Sequence, residues 1–337
     1  MTGFKSTTNT KPLHILYSLS VEGTNWGVGS LPVCYISKDM PIVSLKNRPP
    51  VAYTPDVEKI DTHEPQLIAE LSATFRSMIQ KTNDDIGHAQ RGVHAKTHGL
   101  LQGELQVLDD LPKELAQCIF NNGAKYPVII RLSAIPAYPI RASVSVPRGF
   151  AIKVIQVPGQ RLPDAEGQKT QDFLFANGSS FSAPTAEKFL GNLKSIAKTT
   201  DRAEWAKSAW SAVLRPVERM IEAVRGESAL LKGLGGYPAT HQLGERYFTQ
   251  AAIRFGDYKA KLDVIPASPN FKALTKTQVD YAGRHDALRD EVHDNMQNAG
   301  GAWTLCAQLC RDLKTNPNED TSQLGHKTTT LIFQLPR

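Results

Sequence analysis

The sequence is poor in cysteine. Its four cysteines, Cys34, Cys118, Cys306 and Cys310, are spread over 337 residues, which is too few for a fold stapled by disulfides at this length. Cys306 and Cys310 have the spacing C-x-x-x-C inside the apolar run AWTLCAQLC. This is not the spacing of a zinc site, and no cluster of histidines accompanies it. We therefore expect both side chains to be buried as small apolar groups.

Long apolar runs and sorting signals are also absent. No stretch is long and apolar enough to span a bilayer. The segment HILYSLSV is short and lacks a clear small-residue cleavage site, and the final QLPR is not a peroxisomal S-K-L signal. We expect a cytoplasmic protein that has no membrane partner.

Charge is not concentrated in any segment. Lysine and arginine number 39 against 33 acidic residues, giving a net charge of +6, but the basic residues are scattered and not interleaved with aromatics. This pattern disfavours nucleic acid as a partner, although it suits an anionic cofactor or substrate. A basic nucleic-acid binder is the weakest of the functions that we consider.

The periodicity of apolar residues predicts an α+β protein. Residues 1–50 lack a pattern and form an N-terminal extension, and residues 51–337 form one domain. In residues 65–82 the spacing of Leu67, Ile68, Leu71, Phe75 and Ile79 predicts a helix. Strands in hairpin-like order, separated by inserted and flanking helices, predict an antiparallel β-barrel.

The other predicted elements follow from alternation, helical spacing and turn residues. The predicted helices span residues 112–123, 185–198, 202–226 with a break at Pro216, and 279–296. The predicted strands span residues 100–108, 125–133, 149–157, 247–266, 302–310 and 328–336.

Three polar residues beside strand-like segments are candidates for chemistry. His94 lies in RGVHAKTHG, Ser133 in RLS, and Asn177 in FLFANGSSF. A lone histidine beside a valine is more often structural than catalytic. Serine and asparagine can orient an imidazole or hold a small polar ligand without adding charge. The residues alone therefore support only a weak site hypothesis.

Four blocks make a stronger case together. RGVHAKTHGLLQGELQV, LPKELAQCIFNNGAKYPVIIRLS, PRGFAIKVI and QDFLFANGSSF occur in this order, and together they resemble the heme-dependent catalase family, especially its small catalase-related members. The resemblance runs from about Pro65 to about Asp320. It implies a catalase-type barrel, a heme cofactor and a catalase- or peroxidase-type oxidoreductase.

The resemblance also implies roles for individual residues. His94 matches the distal histidine that moves a proton between the two peroxide oxygens. Asn177 matches the distal asparagine that hydrogen-bonds peroxide, and Ser133 matches the serine that accepts a bond from the other imidazole nitrogen. Val93 matches the valine of the access channel.

Three further residues match groups that hold heme. Arg91 and Arg131 match the arginines that pair with the heme propionates. Without the resemblance they would be ordinary loop and strand-end cations. Phe181 matches an aromatic residue on the heme face, although an ordinary core role is nearly as plausible.

The resemblance further implies a tyrosinate ligand to iron, in an R-x-x-x-Y arrangement on a helix after TTTLIFQLP. The sequence ends at Arg337, directly after this strand, so we expect a chain shortened before that helix, with the metal ligand unknown. The same spacing at Arg254 and Tyr258 lies in a strand-like segment, and we interpret it as a coincidence.

Several functions remain open. The leading one is an oxidoreductase acting on hydrogen peroxide or an organic hydroperoxide, because some relatives rearrange organic hydroperoxides and others act in secondary metabolism. A catalytically inactive catalase-fold protein with a binding or structural role is the main alternative. Family members are often oligomeric, so a homo-oligomer is a further expectation.

Overall fold

The structure is a computed structural model, and it describes residues 49–88, 90–121, 123–135, 146–163, 165–199, 240–314, 320–322 and 330–335. The predicted N-terminal extension up to residue 48, Cys34 and the predicted helix over residues 202–226 lie outside the described residues.

The described strands form a single antiparallel sheet. In chain order they are β1 (Thr97–Val107), β2 (Lys125–Ala134), β3 (Arg148–Ile155), β4 (Thr170–Ala176), β5 (Tyr247–Phe248), β6 (Ile253–Phe255), β7 (Tyr258–Pro266), β8 (Trp303–Leu309) and β9 (Thr330–Leu335). Their order in the sheet is β5-β4-β3-β2-β1-β9-β8-β7-β6, and β5 pairs with β7 as well as with β4. The antiparallel α+β class is therefore confirmed.

Alternation along the strands separates an inner from an outer face of the sheet. On β1, Leu101 and Leu105 are buried, whereas Leu100, Gln102 and Glu104 are exposed. This two-residue period follows from the pleat of an extended backbone. The inner faces of β1–β4, β7 and β8 contribute to one apolar cluster, so the core lies on the inner face.

Large aromatic residues fill the centre of this core. The ring of Phe150 on β3 lies 5.1 Å from that of Tyr247 and 5.2 Å from that of Trp303, measured between centroids. Phe271 lies 4.6 Å from Trp303. Rings at these separations bury large apolar areas and fix the positions of the strands that carry them.

Four described helices flank the sheet. They are α1 (Glu64–Ile86), α2 (Ala186–Thr199), α3 (Pro269–Ala273) and α4 (Ala287–Asn298). Helix α1 begins just before Pro65 and ends at Ile86, and the cap residue Gly87 has a left-handed φ of 76° that suits glycine. Helices α1 and α2 pack through Met78 and Leu193, with Phe75 and Phe189 beside them.

Four of the five residues that were predicted to form the packed face of α1 do lie on it. Leu67, Leu71, Phe75 and Ile79 are half-buried, but Ile68 is 56% exposed and does not belong to the packed face. Helix α1 contacts α2 along a narrow stripe. Met78 is buried in this contact, although the sequence pattern did not include it in the packed face.

The helix predicted over residues 112–123 is wrong. The chain forms turns there and a single 3-10 turn at Cys118–Phe120, preceded by Gln117 in an extended conformation (φ −110°, ψ 138°). Phe120 enters the core and stacks on Phe173 and Phe255 at 5.9 and 5.1 Å. A segment this short has little intrinsic helix stability, so burial of its apolar side chains decides its conformation.

The cysteine and membrane predictions can be compared with the described residues. Cys306 and Cys310 are buried, as predicted, and burial raises the pKa of both thiols. In the part of the chain that the structure describes, no helix has the length and apolarity needed to cross a membrane.

Candidate active site

The pairing of β2, β3 and β4 places one row of residues at the end of the sheet. Ser133 lies opposite Gly149, and Gly149 lies opposite Ala176. Residues directly opposite each other in antiparallel strands share a face, so these three share the outer face. Asn177 follows Ala176 directly. The two predicted site residues Ser133 and Asn177 therefore lie at the same end of the sheet.

His94 lies in the loop before β1, next to this row. Its backbone has a φ of 54°, a left-handed conformation that is uncommon for a residue other than glycine. Two hydrogen bonds hold it there. The N–H of His94 donates to the carbonyl of Ile135 at 2.6 Å, and its own carbonyl accepts from Nη2 of Arg131 at 2.5 Å.

The imidazole of His94 is held between a hydroxyl group and a glycine. Its Nδ1 lies 3.0 Å from Oγ of Ser133. A Cβ atom on Gly149 would lie 2.5 Å from Cε1 and 2.6 Å from Nδ1 of the ring, which is too close for two carbon-sized atoms. The imidazole can occupy this position only because residue 149 has no side chain, and a larger residue there would displace the ring. Sequence reasoning missed this residue, although it lies inside the block PRGFAIKVI.

The surroundings of His94 favour the neutral imidazole. Burial, and then the positive charges of Arg131 and Arg91, lower the pKa of His94 to about 4. A neutral imidazole has one nitrogen that donates and one that accepts a hydrogen bond. Since Nδ1 is engaged with Ser133, Nε2 is the ring nitrogen left for a ligand.

Arg131 is a half-buried cation without an acidic partner among the described residues. Its Nε and Nη2 donate to Oγ1 of Thr97 at 3.1 and 2.7 Å. Burial, and then the charge of exposed Arg91, lower the pKa of Arg131 to about 10. A guanidinium in this setting is suited to a carboxylate or phosphate group from a ligand.

The outer face beside Arg131 is apolar and open. The row next to Ser133 and Gly149 consists of Leu100, Arg131, Ala151 and Leu174, which pair in register across four strands. Leu100 is 41% exposed and Leu174 is 69% exposed. This surface suits a flat apolar ligand that carries an acidic group.

The structure does not place Asn177 in contact with His94. The side-chain oxygen of Asn177 accepts from the backbone N–H of Arg148 at 3.0 Å, and its nitrogen donates to Oε2 of Glu245 at 2.9 Å. Glu245 forms a buried ion pair with the guanidinium of Arg148. Sequence reasoning gave no role to Arg148 or Glu245.

Phe181 and Val93 lie at the edge of the site. The ring of Phe181 lies 5.1 Å from that of Phe189 on α2, and its backbone N–H donates to the carbonyl of Thr321 at 3.0 Å. Val93 is half-buried in the loop that precedes β1. Neither arrangement tests the predicted contact with heme, so both roles stay predictions.

Two other polar residues of the His94 block point into the protein. Lys96 is buried and pairs with Asp286 at 2.7 Å. His98 is 3% exposed, and neither of its ring nitrogens has a hydrogen-bond partner in the described part of the chain. Burial, and then the nearby charge of Arg148, lower the pKa of His98 to about 3.

The R-x-x-x-Y spacing that we interpret as a coincidence lies in the β6–β7 hairpin. The guanidinium of Arg254 stacks over the ring of Tyr53 at 4.3 Å from its centroid, and its Nε donates to the carbonyl of Gly256. Tyr258 pairs with Phe255 across the turn. Among the described residues, no three His, Cys, Asp or Glu side chains are grouped as a metal site.

Neither a protein-family model nor a curated protein matches the sequence. Solved structures of catalases are similar to it at low identity. A bacterial catalase is 15% identical with a TM-score of 0.49, over 88% of this chain and 55% of that chain. Catalase A from Saccharomyces cerevisiae is 17% identical with a TM-score of 0.48, over 86% and 58%.

A fungal catalase is 16% identical with a TM-score of 0.47, over 89% of this chain and 57% of that chain. The chain thus spans little more than half the length of these catalases. Identities and scores at this level do not assign an activity.

Proposed function

We propose that this chain is a catalase-like heme oxidoreductase that acts on hydrogen peroxide or an organic hydroperoxide. The observation that carries the proposal is the neutral imidazole of His94, held between Oγ of Ser133 and the backbone of Gly149. These residues come from three separate blocks of the sequence, and those blocks are the ones that resemble the catalase family. The pairing of β5 with both β4 and β7 supports a catalase-type barrel formed within residues 51–337.

The residues beside His94 on the outer face of the sheet are suited to contact one face of a heme. A porphyrin is a flat apolar group with two carboxylates. The apolar outer face at Leu100, Ala151 and Leu174 suits the ring, and Arg131, which lacks an acidic partner in the described part of the chain, suits a propionate. Exposed Arg91 would be a second partner for these carboxylates. We assign no axial ligand to iron.

Bound heme would supply the redox chemistry at iron, and His94 would move the proton. Nε2 of the neutral ring would accept the proton from one oxygen of the peroxide and return it to the other as the O–O bond breaks. The second oxygen would then leave as water from hydrogen peroxide, or as an alcohol from an organic hydroperoxide. Nδ1–H, donating to Oγ of Ser133, fixes the tautomer that leaves Nε2 as the acceptor. Because the pKa of His94 lies at about 4, this base remains available at neutral pH.

The remaining predicted residues have supporting roles in the proposal. Asn177 donates a hydrogen bond to peroxide, Val93 lines the approach to His94, and Phe181 covers part of the heme face. A homo-oligomer is part of the same proposal, because it rests on the same resemblance.

The test is a heme titration of the full chain, followed through the Soret band. We expect stoichiometric binding, and we expect peroxide-dependent spectral changes that are lost in His94→Ala while heme still binds. Arg131→Gln should weaken heme binding instead. No saturable binding by the wild-type protein would contradict the proposal.

The substrate class requires a separate comparison. His94 is only half-buried and lies near exposed Arg91, so its surroundings do not form a small and dry pocket for hydrogen peroxide. This favours an organic hydroperoxide, which would suit a role in secondary metabolism. We expect higher kcat/KM for cumene hydroperoxide than for hydrogen peroxide. The opposite ranking would assign the chain to hydrogen peroxide.

A further inference from the structure

The side chain of Asn177 is oriented by two groups of opposite character. The backbone N–H of Arg148 can only donate, and it meets Oδ1 at 3.0 Å. An ionised Glu245 can only accept, and its Oε2 lies 2.9 Å from Nδ2. Rotating the amide by half a turn would place donor against donor and acceptor against acceptor. The two contacts therefore determine which end of the amide is which.

Glu245 is itself held by a buried network. Its other oxygen, Oε1, accepts from Nη1 of Arg148 and from Oγ1 of Thr240, the latter at 2.5 Å. Arg148 also donates to the carbonyl of Thr240 and to the hydroxyl of Tyr281. Burial raises the pKa of Glu245, and the guanidinium of Arg148 opposes this change. The two donors on Oε1 suit an ionised carboxylate, which can only accept hydrogen bonds. A buried network of this kind tolerates little movement of its members.

One hydrogen of Asn177 remains available. An amide nitrogen carries two hydrogens about 120° apart, so the second one points away from Oε2 of Glu245. No described residue accepts it. Asn177 is half-buried and adjoins the row of Ser133, Gly149 and Ala176, on which the imidazole of His94 lies.

We infer, on the basis of the proposed function, that Glu245 is a positioning residue which holds Asn177 so that its second amide hydrogen can donate to the bound peroxide. Glu245 touches neither peroxide nor heme in this arrangement. It acts through Asn177, and Arg148 and Thr240 fix its own position.

The substitution Glu245→Gln keeps the size and shape of the side chain but replaces the acceptor that faces Asn177 with a donor. Arg148 and Thr240 both donate to the position of Oε1, so the glutamine oxygen must lie there. Its NH2 group then faces Nδ2 of Asn177, and the two donors repel each other. Asn177 must turn or shift.

The first readout is the side-chain amide signal of Asn177 in full-length protein labelled with ¹⁵N-asparagine, assigned by its loss in Asn177→Ala. We expect Glu245→Gln to move this signal. The matched control is Asp263→Asn, which neutralises another buried carboxylate, one that accepts from Nε of Arg246 at 2.5 Å and does not contact Asn177. An Asn177 signal that stays in place in folded Glu245→Gln would overturn the inference.

A second measurement uses the wild-type protein, so it tests the inference even if Glu245→Gln does not fold. The hydrogen of Asn177 that is bonded to Glu245 should exchange with solvent about tenfold more slowly than the side-chain hydrogens of exposed Asn298. Equal exchange rates for both hydrogens of Asn177 and for Asn298 would overturn the inference.

Turnover separates the inference from the function on which it rests. In heme-loaded protein, Glu245→Gln should lower kcat and kcat/KM for peroxide by a similar factor, about tenfold or more, because an interaction made in the transition state is lost. Asp263→Asn should keep both constants. If the wild-type protein turns over no peroxide, the proposed function fails, and the amide signals still decide whether Glu245 positions Asn177. Unchanged constants in Glu245→Gln would overturn the inference and leave the proposed function intact.

Discussion

Arg131 on β2 and Arg148 on the neighbouring strand β3 lie on opposite faces of the sheet, and their surroundings differ sharply. Arg131 lies on the outer face, where it donates to a hydroxyl and a carbonyl and faces no acid in the described residues. Arg148 lies on the inner face, where it pairs with Glu245 and also binds Thr240 and Tyr281. Alternation along β3 separates the two environments by a single residue, because Gly149 faces outward and Arg148 inward.

This difference distinguishes a surface that can take a ligand from a structure that supports it. On the outer face, Arg131 has no acidic partner and Nε2 of His94 has no hydrogen-bond partner among the residues that the structure describes, and apolar side chains remain exposed. On the inner face, the charges of Arg148 and Glu245 are compensated. Paired buried charges add rigidity more than they add stability, whereas an unpaired cation near the surface retains its capacity to bind an anion.

The largest effect should come from removing the inner arginine. Arg148→Met leaves the buried carboxylate of Glu245 without its cation, and we expect a loss of about 3–5 kcal/mol in the free energy of unfolding. Arg131→Gln should cost only about 1 kcal/mol, because it removes hydrogen bonds at a half-buried site. Urea unfolding followed by far-UV circular dichroism measures both values. Similar losses in the two variants would contradict the contrast between the faces.

Lowering the pH should reduce the free energy of unfolding through His94 and through His98, and the effect of His98 should continue down to a lower pH. The pKa of His94 is lowered to about 4 and that of His98 to about 3. Below the ordinary value of about 6.5 the unfolded chain takes up protons that the folded chain does not, so stability is lost as the pH falls.

Each histidine contributes a slope of about 1.4 kcal/mol per pH unit within its window. For His94 the window runs from pH 6.5 to about 4, and for His98 from pH 6.5 to about 3. Unfolding free energies between pH 7 and pH 4 should therefore fall less steeply in His98→Gln than in the wild-type protein. Equal slopes would show that His98 is accessible to protons in the folded state.

The contact between His94 and Gly149 can be tested next. Gly149→Ala places a methyl group 2.5 Å from Cε1 of His94, so the ring must leave Ser133, at a cost of about 1–3 kcal/mol. Gly191→Ala is the control, because its added methyl group in α2 would have no described atom within 4 Å apart from its chain neighbours and the backbone of its own helix. It should stabilise the helix slightly. A Gly149→Ala protein with the stability of wild type would contradict the packing at His94.

Local patterns in the sequence were sufficient for much of the sheet and for α1. Alternation predicted β1, and β-branched runs predicted β2 and β3, because a half-buried strand must show a two-residue period. The pattern failed at residues 112–123, where burial of Phe120 in the core outweighed a weak helical preference. It also placed Ile68 on the packed face of α1, because spacing alone does not give the width of the contact.

The candidate site was less accessible to sequence reasoning. From the residues alone, His94, Ser133 and Asn177 supported only a weak site hypothesis, and they were given specific roles only through the resemblance of whole blocks. The contact between Gly149 and the imidazole depends on the register between β2 and β3, and no local sequence pattern specifies that register. Glu245 lies in the short stretch GERY, where no periodic pattern of apolar residues indicates that its carboxylate is buried.

The smallest effect on stability, and the most selective effect on function, should come from Leu174. This side chain is 69% exposed on the outer face, so Leu174→Gln should change the free energy of unfolding by less than about 0.5 kcal/mol. If heme covers this face, the same substitution removes apolar contact worth about 1–2 kcal/mol, which corresponds to roughly a 5- to 30-fold weaker affinity. The control is Leu162→Gln, since Leu162 is 58% exposed in the loop between β3 and β4. Soret titrations of both variants should show weakened binding only for Leu174→Gln, and equal affinities would mean that a bound heme lies elsewhere on the protein.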